Sequence, residues 1–156
     1  MIQEVSSAGT NRELVLARTF DAPRERVWAA YTDPAQIGRW WGPRGFSITT
    51  YEMEVRVGGR WRFMMHGPDG TDYPNRIVYT TITPVELLAF DHSGDEDNDP
   101  FGFKVTIELA DLGGRTAVTQ RIVFASAEQR DATLRFGAVE LGNQTLDRLA
   151  EHLRDG

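Results

Sequence analysis

Residues 20–43 read FDAPRERVWAAYTDPAQIGRWWGP, and this stretch is the most informative part of the chain. Asp21 and Pro23 predict the start of a helix, because aspartate can cap free amides and proline is tolerated in a first turn. An Asp-Pro pair at 33–34 repeats the signal, and Gln36 completes a capping-box pattern. The stretch therefore predicts two short helices in succession, closed by a Gly-Pro break.

Two adjacent tryptophans, Trp40 and Trp41, end the second of these helices. Each indole can bury on the order of 200 Å² of surface, so both are costly to leave in water. They predict either a plug in the core or the wall of a hydrophobic cavity. The choice between the two separates a receptor or an enzyme from a merely packed domain.

The rest of the chain is dominated by strand patterns up to residue 124. A first strand is predicted at residues 13–20, and tight turns at glycine pairs 58–59 and 113–114 and at the GPDG sequence 67–70 separate later runs. These later strands are predicted at residues 46–53, 60–66, 77–82, 86–92, 101–109 and 116–124. Short antiparallel strands joined by tight turns form a curved meander sheet.

The C-terminal part of the chain predicts helix. Ser126 and Gln129 form a second capping-box pattern, and an apolar stripe at helical spacing follows. Gly137 weakens a helix by about 1 kcal/mol relative to alanine, so a short helix is expected to break there and a long one to cover residues 138–154. A curved antiparallel sheet that grips one long helix is an α+β arrangement.

Length and composition limit the class of protein. The 156 residues suit a single domain, expected at residues 13–154 after an N-terminal tail at 1–12. The absence of cysteine excludes disulfides and favours a reducing cytoplasm. A net charge of −6 without a basic stripe argues against nucleic-acid binding. No apolar run is long enough to span a membrane, and no signal-peptide pattern is visible.

Motifs for catalysis or metal binding are not found in the sequence. It has no nucleophile elbow, no His-Glu-x-x-His helix, no phosphate loop and no dinucleotide fingerprint. Its histidines lie on separate elements and fall short of the three or four ligands of a metal site. We therefore predict no catalytic residue, no metal and no cofactor. The acidic run at 95–99 is expected to be a solvated hairpin loop.

Candidate cavity residues follow from the strand and helix patterns. Trp61, Phe63 and Met65 share one strand face, whereas His66 lies on the other, and a slip of one residue would reverse every such assignment. Ordinary core packing accounts for the same aromatic residues. The apolar and amide candidates are Trp40, Trp41, Phe46, Trp61, Phe63, Met65, Tyr79, Phe103, Val139, Asn143 and Leu146. The other polar candidates are His66, Arg76 and Arg121, with Arg62 and Gln120 as further inward-facing possibilities.

The order FDAPRERVWAAYTDP, WWGP, GG, MMHGPDG and LDRLAEHL resembles the SRPBCC, or START-like, superfamily. Within it, the chain is most similar to the family named after the activator of heat-shock protein 90 ATPase, from about residue 14 to residue 153. The resemblance implies a helix-grip fold, in which about seven antiparallel strands wrap around the C-terminal helix and leave a cavity between. It does not imply a particular substrate.

The last helix departs from the family pattern. Relatives often carry a Gly-Trp pair where this chain has Gly142 and Asn143. Asparagine leaves more room than tryptophan and adds a donor and an acceptor. We expect Asn143 to make the cavity larger or more polar.

Three functions stay open. The first is a cytoplasmic binding module that holds a small hydrophobic or amphipathic molecule. The second is an enzyme that resembles the aromatase/cyclases of the superfamily and acts on a polyketide-type substrate. The third is a protein-interaction domain, in a homodimer or against a chaperone. An inward histidine or arginine with a hydrogen-bonded partner would favour the enzyme, and an exposed apolar patch near Trp40 and Trp41 would favour the third.

Overall fold

The structure is a computed structural model that describes residues 2–5 and 11–155. In that part of the chain eight strands form one antiparallel sheet: β1 (Ile2–Val5), β2 (Glu13–Phe20), β3 (Ser47–Met53), β4 (Arg60–His66), β5 (Asp72–Thr83), β6 (Leu87–Ser93), β7 (Phe103–Asp111) and β8 (Thr116–Val123). It also holds four helices: α1 (Arg24–Thr32), α2 (Pro34–Ile37), α3 (Ala127–Arg135) and α4 (Ala138–Asp155).

The strand order across the sheet is β1-β2-β8-β7-β6-β5-β4-β3. The chain therefore meanders from β3 to β8 and then pairs β8 back onto β2. Register shifts at residues 50–52 of β3 and 79–81 of β5 mark bulges, which bend strands and increase their twist. The curved sheet grips α4, so the predicted α+β helix-grip fold is confirmed.

The seven predicted strands correspond to β2 to β8, and β1 is an addition to them. β1 pairs antiparallel with β2, from Ile2 opposite Arg18 to Val5 opposite Val15. It falls within residues 1–12, the segment expected to be a tail. Four residues are too few to show an alternating pattern, so the sequence did not predict β1. Hydrogen bonding to the edge of β2 is what makes these residues a strand.

β5 begins five residues earlier than its pattern predicts. Pro74 lies inside the added segment, and proline has no N–H to donate to a ladder. The ladder with β6 begins only at Arg76 opposite Ser93, whereas β4 pairs with β5 as far as Asp72. The early part of β5 therefore has a strand on one side only, which is where proline is tolerated.

The three predicted helix starts are confirmed, because α1, α2 and α3 begin at Arg24, Pro34 and Ala127, but only two of the predicted caps form. Asp33 accepts a hydrogen bond from Ala35 N–H at 2.9 Å, and Ser126 accepts one from Gln129 N–H at 3.0 Å. Asp21 does not cap α1, because Pro23 occupies the N-cap position with extended backbone and no side-chain bond. The capping boxes are also incomplete, since the glutamine side chains bond elsewhere, that of Gln36 to the Asp33 carboxylate.

The long helix α4 packs its apolar stripe into the sheet. Leu146, Leu149 and Leu153 are buried in the core. A Cβ atom on Gly142 would lie 2.7 Å from Leu16 Cδ1, so a larger residue there would require the end of the Leu16 side chain to shift. Gly137 turns the chain between α3 and α4 at φ +101°, which confirms the predicted break. None of the described helices is long and apolar enough to cross a membrane.

One arginine of α4 holds the segment that carries the two tryptophans. Arg148 Nη1 lies within hydrogen-bonding distance of the carbonyl oxygens of Trp41, Gly42, Pro43 and Phe46, at 2.9 to 3.4 Å, and Nη2 donates to Arg39 O at 3.1 Å. These carbonyls belong to a loop that is part of no helix or strand. The guanidinium therefore anchors residues 39–46 to α4.

We expect Arg148→Met to lower the free energy of unfolding by about 1–3 kcal/mol, because several partly buried carbonyls lose their donor together. Urea denaturation followed by tryptophan fluorescence measures the change. Arg154→Met is the matched control on the same helix. Arg154 is exposed and forms its ion pair within the described residues with Asp155, so its loss should cost under about 0.5 kcal/mol. Equal stability changes in the two variants would contradict the anchoring role.

Candidate functional site

A large cavity opens between the concave face of the sheet and the helices α3 and α4. Its volume is about 1050 Å³, at the upper end of the range typical of small-molecule sites. Strands β2, β6, β7 and β8 supply its floor, and α3, α4 and the loop after α2 supply its other walls. The floor is mainly apolar, with Leu14, Leu16, Phe90, Val105 and Ile122 among its side chains.

Trp40 and Trp41 have different roles: Trp40 packs in the core, and Trp41 lines the cavity wall. Trp40 is 1% exposed, and its indole N–H donates to Ala30 O at 3.0 Å, so it is a core residue whose edge reaches the cavity. Trp41 is half-buried and lines the wall. Its ring stands 5.3 Å from that of Trp61 and 6.4 Å from that of Phe90. Both indoles point inward, so this region does not form the exposed apolar patch that a protein partner would need.

The mouth of the cavity is edged by two exposed phenylalanines. Phe101, in the loop between β6 and β7, is 72% exposed, and Phe136, between α3 and α4, is 82% exposed. Gln129 Nε2 donates to Phe101 O at 2.8 Å and ties α3 to that loop across the opening. Glu128 and Arg135 of α3 also lie at this exposed edge.

His92 is an inward-facing polar group of the wall. Its ring is surrounded by those of Trp41, Phe63, Phe90 and Phe103, at centroid distances of 4.8 to 6.5 Å. Burial among these rings lowers the pKa of His92 to about 4. The imidazole is therefore neutral at neutral pH.

A chain of hydrogen bonds fixes the tautomer of His92. Asn75 Nδ2 donates to Tyr73 O at 2.9 Å, which leaves Asn75 Oδ1 as the acceptor that faces His92 Nε2 at 2.8 Å. Nε2 therefore carries the proton, and Nδ1 keeps its lone pair. The ring offers a hydrogen-bond acceptor that no described residue occupies.

Gln120 is the polar group in the middle of the floor. It lies on β8 opposite Leu16 of β2 and Ile107 of β7, and its same-face neighbours on β8 are Val118 and Ile122. Its amide makes no hydrogen bond with any described residue. Gln120 is half-buried. The strands on both sides cover its backbone, so the exposed part of the residue is its side chain, which lines the cavity.

Tyr31 of α1 also borders the cavity, but its hydroxyl is sealed off. The oxygen is buried and has no partner among the described residues. Burial raises the pKa of Tyr31 well above its ordinary value, so the group stays a neutral phenol.

Five of the predicted apolar candidates lie along the cavity: Trp40, Trp41, Met65, Phe103 and Leu146. Others lie behind or beside it. Trp61 and Phe63 are fully buried and stack on each other at 3.8 Å, behind Trp41. Tyr79 and Val139 pack in or against the core, and Phe46 sits in the loop before β3 with its ring 6.1 Å from that of Tyr73.

The three polar candidates face away from the cavity. His66 bonds Thr49 and Asp72 at the strand end, each at 2.8 Å. Arg121 pairs with Glu13 at 3.0 Å. Arg76 lies on the outer face of β5. The alternation that turns Trp61 and Phe63 inward turns His66 outward, and the same rule applies to each of these strands.

The acidic run is more ordered than a solvated loop. The Asp95 carboxylate accepts from Arg62 at 2.8 Å and from Arg76 at 3.0 Å, and its side chain is only 13% exposed. Asp97 binds Arg76 as well, at 2.6 Å. Hydrogen bonding from Arg62 lowers the pKa of Asp95. Two of the arginines considered as polar cavity candidates, Arg62 and Arg76, thus bind this loop instead.

The buried arginine of the concave face is Arg18. Its side chain is 8% exposed and pairs with Asp147 of α4 at 2.7 Å. The pair neutralises the charge inside the fold. Asn143 lies one turn away from Asp147 and does not line the cavity, so it does not make the cavity wall more polar as expected. Its Oδ1 is buried and without a partner among the described residues.

The wall residues missing from the predicted set are mostly contributed by strand pairing. Leu14, Leu16, Phe90, His92 and Ile122 come together because β2, β8, β7 and β6 are neighbours. Alternation alone places each of them on one face or the other of its own strand. Knowing that β8 pairs with β2 would have placed these residues on one surface. No three metal-ligating side chains cluster within the described residues.

Acidification should destabilise the protein through His92. Its pKa is about 4 in the folded protein and about 6.5 in an unfolded chain, so the unfolded state binds the proton more readily between these values. The stability contribution of the neutral ring is therefore complete above pH 6.5 and is lost as the pH falls towards 4. The groups that face the ring are aromatic or, in Asn75, uncharged.

We expect His92→Phe to flatten the fall in unfolding free energy between pH 7 and pH 5, measured by urea denaturation at each pH. Loss of the Asn75 bond lowers stability at both values, so the pH slope is the readout. His66→Phe removes an outer-face histidine and serves as the control. A slope that is unchanged by His92→Phe would contradict the buried, neutral imidazole.

Comparison with known proteins gives the same picture. The family model described as activator of Hsp90 ATPase homolog 1-like protein matches residues 21–154. A search of curated proteins finds no match.

Solved structures share the fold over nearly the whole chain. The solution structure of a protein from Arthrobacter aurescens is 29% identical, with a TM-score of 0.90, over 99% of this chain and 92% of that one. The crystal structure of a Rhodobacter sphaeroides protein is 25% identical, with a TM-score of 0.87, over 100% of both chains. CalU16 from Micromonospora echinospora is 18% identical, with a TM-score of 0.64, over 98% of this chain and 83% of that one, and shows the fold alone.

The family match covers most of the chain, and the sheet, the gripped helix and the cavity agree with it. This chain belongs to the activator of Hsp90 ATPase homolog 1-like family.

Proposed function

We propose that this protein binds a small hydrophobic or amphipathic molecule in the cavity between the sheet and α3 and α4. The observation that carries the proposal is an open cavity of about 1050 Å³ whose floor is apolar. Burial of a ligand there would contribute about 25 cal/mol per Å² of apolar surface, before the costs of association. The family supports a ligand-binding fold in general terms.

The distribution of polar groups supports the same function. A ligand site is mostly apolar with a few polar groups that fix orientation. Here Gln120 and His92 interrupt a wall of leucine, valine and aromatic side chains. The exposed phenylalanines Phe101 and Phe136 extend that apolar surface to the mouth. A molecule that enters would therefore pass from one apolar contact to the next.

A thermal-shift screen against fatty acids, sterols, aromatic polyketides and flavonoids tests the proposal. A ligand at 100 times its Kd stabilises the folded state by about 2.7 kcal/mol. For a domain of this size that corresponds to a rise in Tm of roughly 5–10 °C. We expect a dose-dependent rise for at least one chemical class. No rise in any class would contradict the proposal.

A pair of tryptophan substitutions on α4 locates the site. Leu141 lines the cavity and Glu140, its neighbour, is exposed outside it. Leu141→Trp should fill part of the space and weaken the binding of the screen's best ligand at least tenfold. Glu140→Trp adds the same side chain to the same helix and should change affinity less than twofold. Equal affinities in the two variants would place the ligand elsewhere.

A second candidate function is a cyclase-like enzyme that acts on a polyketide-type substrate. The inward His92, oriented by Asn75 at 2.8 Å, is the observation that favours it. A neutral imidazole with its lone pair on Nδ1 could accept a proton from a bound substrate. A fold shared with CalU16 is compatible with this alternative but assigns no reaction.

Turnover separates the two candidates. An enzyme should convert a poly-β-ketone thioester to a cyclised product, and His92→Phe should abolish that rate while binding persists. If the wild type binds this substrate without turnover, the enzyme candidate is contradicted and the binding function stands. Homodimer formation, contact with a chaperone and a cytoplasmic location stay predictions.

A further inference from the structure

We infer that Gln120 is the hydrogen-bonding anchor of the cavity and that it selects an uncharged oxygen group, carbonyl or hydroxyl, on a mainly apolar ligand. This inference rests on the proposed binding function and names the chemistry of its ligand. It concerns a single amide in the centre of the floor, where the side chains directly opposite it on the adjoining strands and next to it on its own strand face are apolar.

The position of Gln120 gives its amide no partner in the protein. Leu16, Ile107, Val118 and Ile122 surround it on the concave face. None of these side chains has a polar atom, and no described residue bonds the amide. A half-buried amide that has no partner in the protein is costly among apolar side chains unless water bonds it. A ligand oxygen that replaces this water keeps the hydrogen bond and gains the apolar contacts.

The charges around the cavity exclude an ionised group at this point. Among the described lining residues, those that ionise at neutral pH are Glu128 and Arg135, and both are exposed on α3 at the mouth. The guanidinium of Arg18 is already paired with Asp147 at 2.7 Å and does not line the cavity. A carboxylate beside Gln120 would lose its hydration without a counter-ion.

The distance between Gln120 and His92 sets the length of a ligand that contacts both residues. His92 pairs with Phe103 on β7, four residues from Ile107, which pairs with Gln120. Two strand spacings and four residues of rise separate the two Cα atoms by on the order of 15 Å on a flat sheet. A single ring anchored at Gln120 therefore leaves the His92 end empty. A ligand that fills the cavity needs several rings or a long chain.

Three tricyclic probes of similar shape test the inference: 9-fluorenone carries a neutral carbonyl, fluorene has no oxygen, and fluorene-9-carboxylate is an anion. Tryptophan fluorescence quenching gives each Kd. We expect the wild type to bind fluorenone at least tenfold more tightly than the carboxylate. The ratio of the fluorene Kd to the fluorenone Kd should fall about fivefold to tenfold in Gln120→Leu, which removes the amide and nearly keeps its volume.

Thr119→Val is the control, because Thr119 is the preceding residue of the same strand and faces the other side of the sheet. Its ratio should match that of the wild type. Gln120→Leu should also keep or raise the Tm, since it removes an unpartnered amide from an apolar floor. A merely structural glutamine would lower it.

The outcomes distinguish this inference from the proposed function. Binding of fluorene and fluorenone with a ratio unaffected by Gln120→Leu overturns the anchor and leaves the binding function intact. Tighter binding of the carboxylate than of fluorenone overturns the selection for an uncharged group, and the wild type alone decides this if the variant fails to fold. Failure of all three probes, together with an empty thermal-shift screen, overturns both.

Discussion

One helix cannot cover an eight-stranded sheet, and this constraint shapes the rest of the molecule. Eight strands spaced by about 4.8 Å extend over roughly 34 Å, whereas a helix with its side chains is about 10–12 Å wide. The stripe of Leu146, Leu149 and Leu153 can therefore cover only part of the concave face. The remaining concave surface must be filled by other side chains or left as space, and this protein does both.

The aromatic residues fill one part of that surface and bound the other. Trp61 and Phe63 of β4 stack on each other, and the Trp41 ring packs over them. The loop that holds Trp41 is fixed by Arg148, so the position of this wall depends on a cation of α4 that bonds backbone carbonyls rather than a carboxylate. What remains beyond Trp41 is the cavity. One aromatic cluster therefore has two layers: Trp61 and Phe63 pack in the core, and Trp41 in front of them lines the cavity.

The fold was largely predictable because its signals are local, whereas the site depends on which strands become neighbours. Alternation in the β7 segment, the caps Asp33 and Ser126 and the break at Gly137 can all be recognised within a few residues of sequence. The grouping of Leu16 with Gln120 depends on β8 pairing back onto β2, which no local pattern encodes. For the same reason Asn143 could be placed on α4 but not on a particular side of it.

The proposed binding function requires the space beyond Trp41 to be open to a ligand. The indole N–H signals of the four tryptophans in a ¹H-¹⁵N spectrum test it most directly, during titration with 9-fluorenone. Trp40 and Trp61 bond Ala30 O and Thr50 Oγ1 within the fold, and Trp28 is outside the cavity wall. We expect the Trp41 signal to move furthest and to saturate, while those of Trp28 and Trp61 stay in place. A Trp41 signal that stays in place while that of Trp28 moves would contradict this expectation.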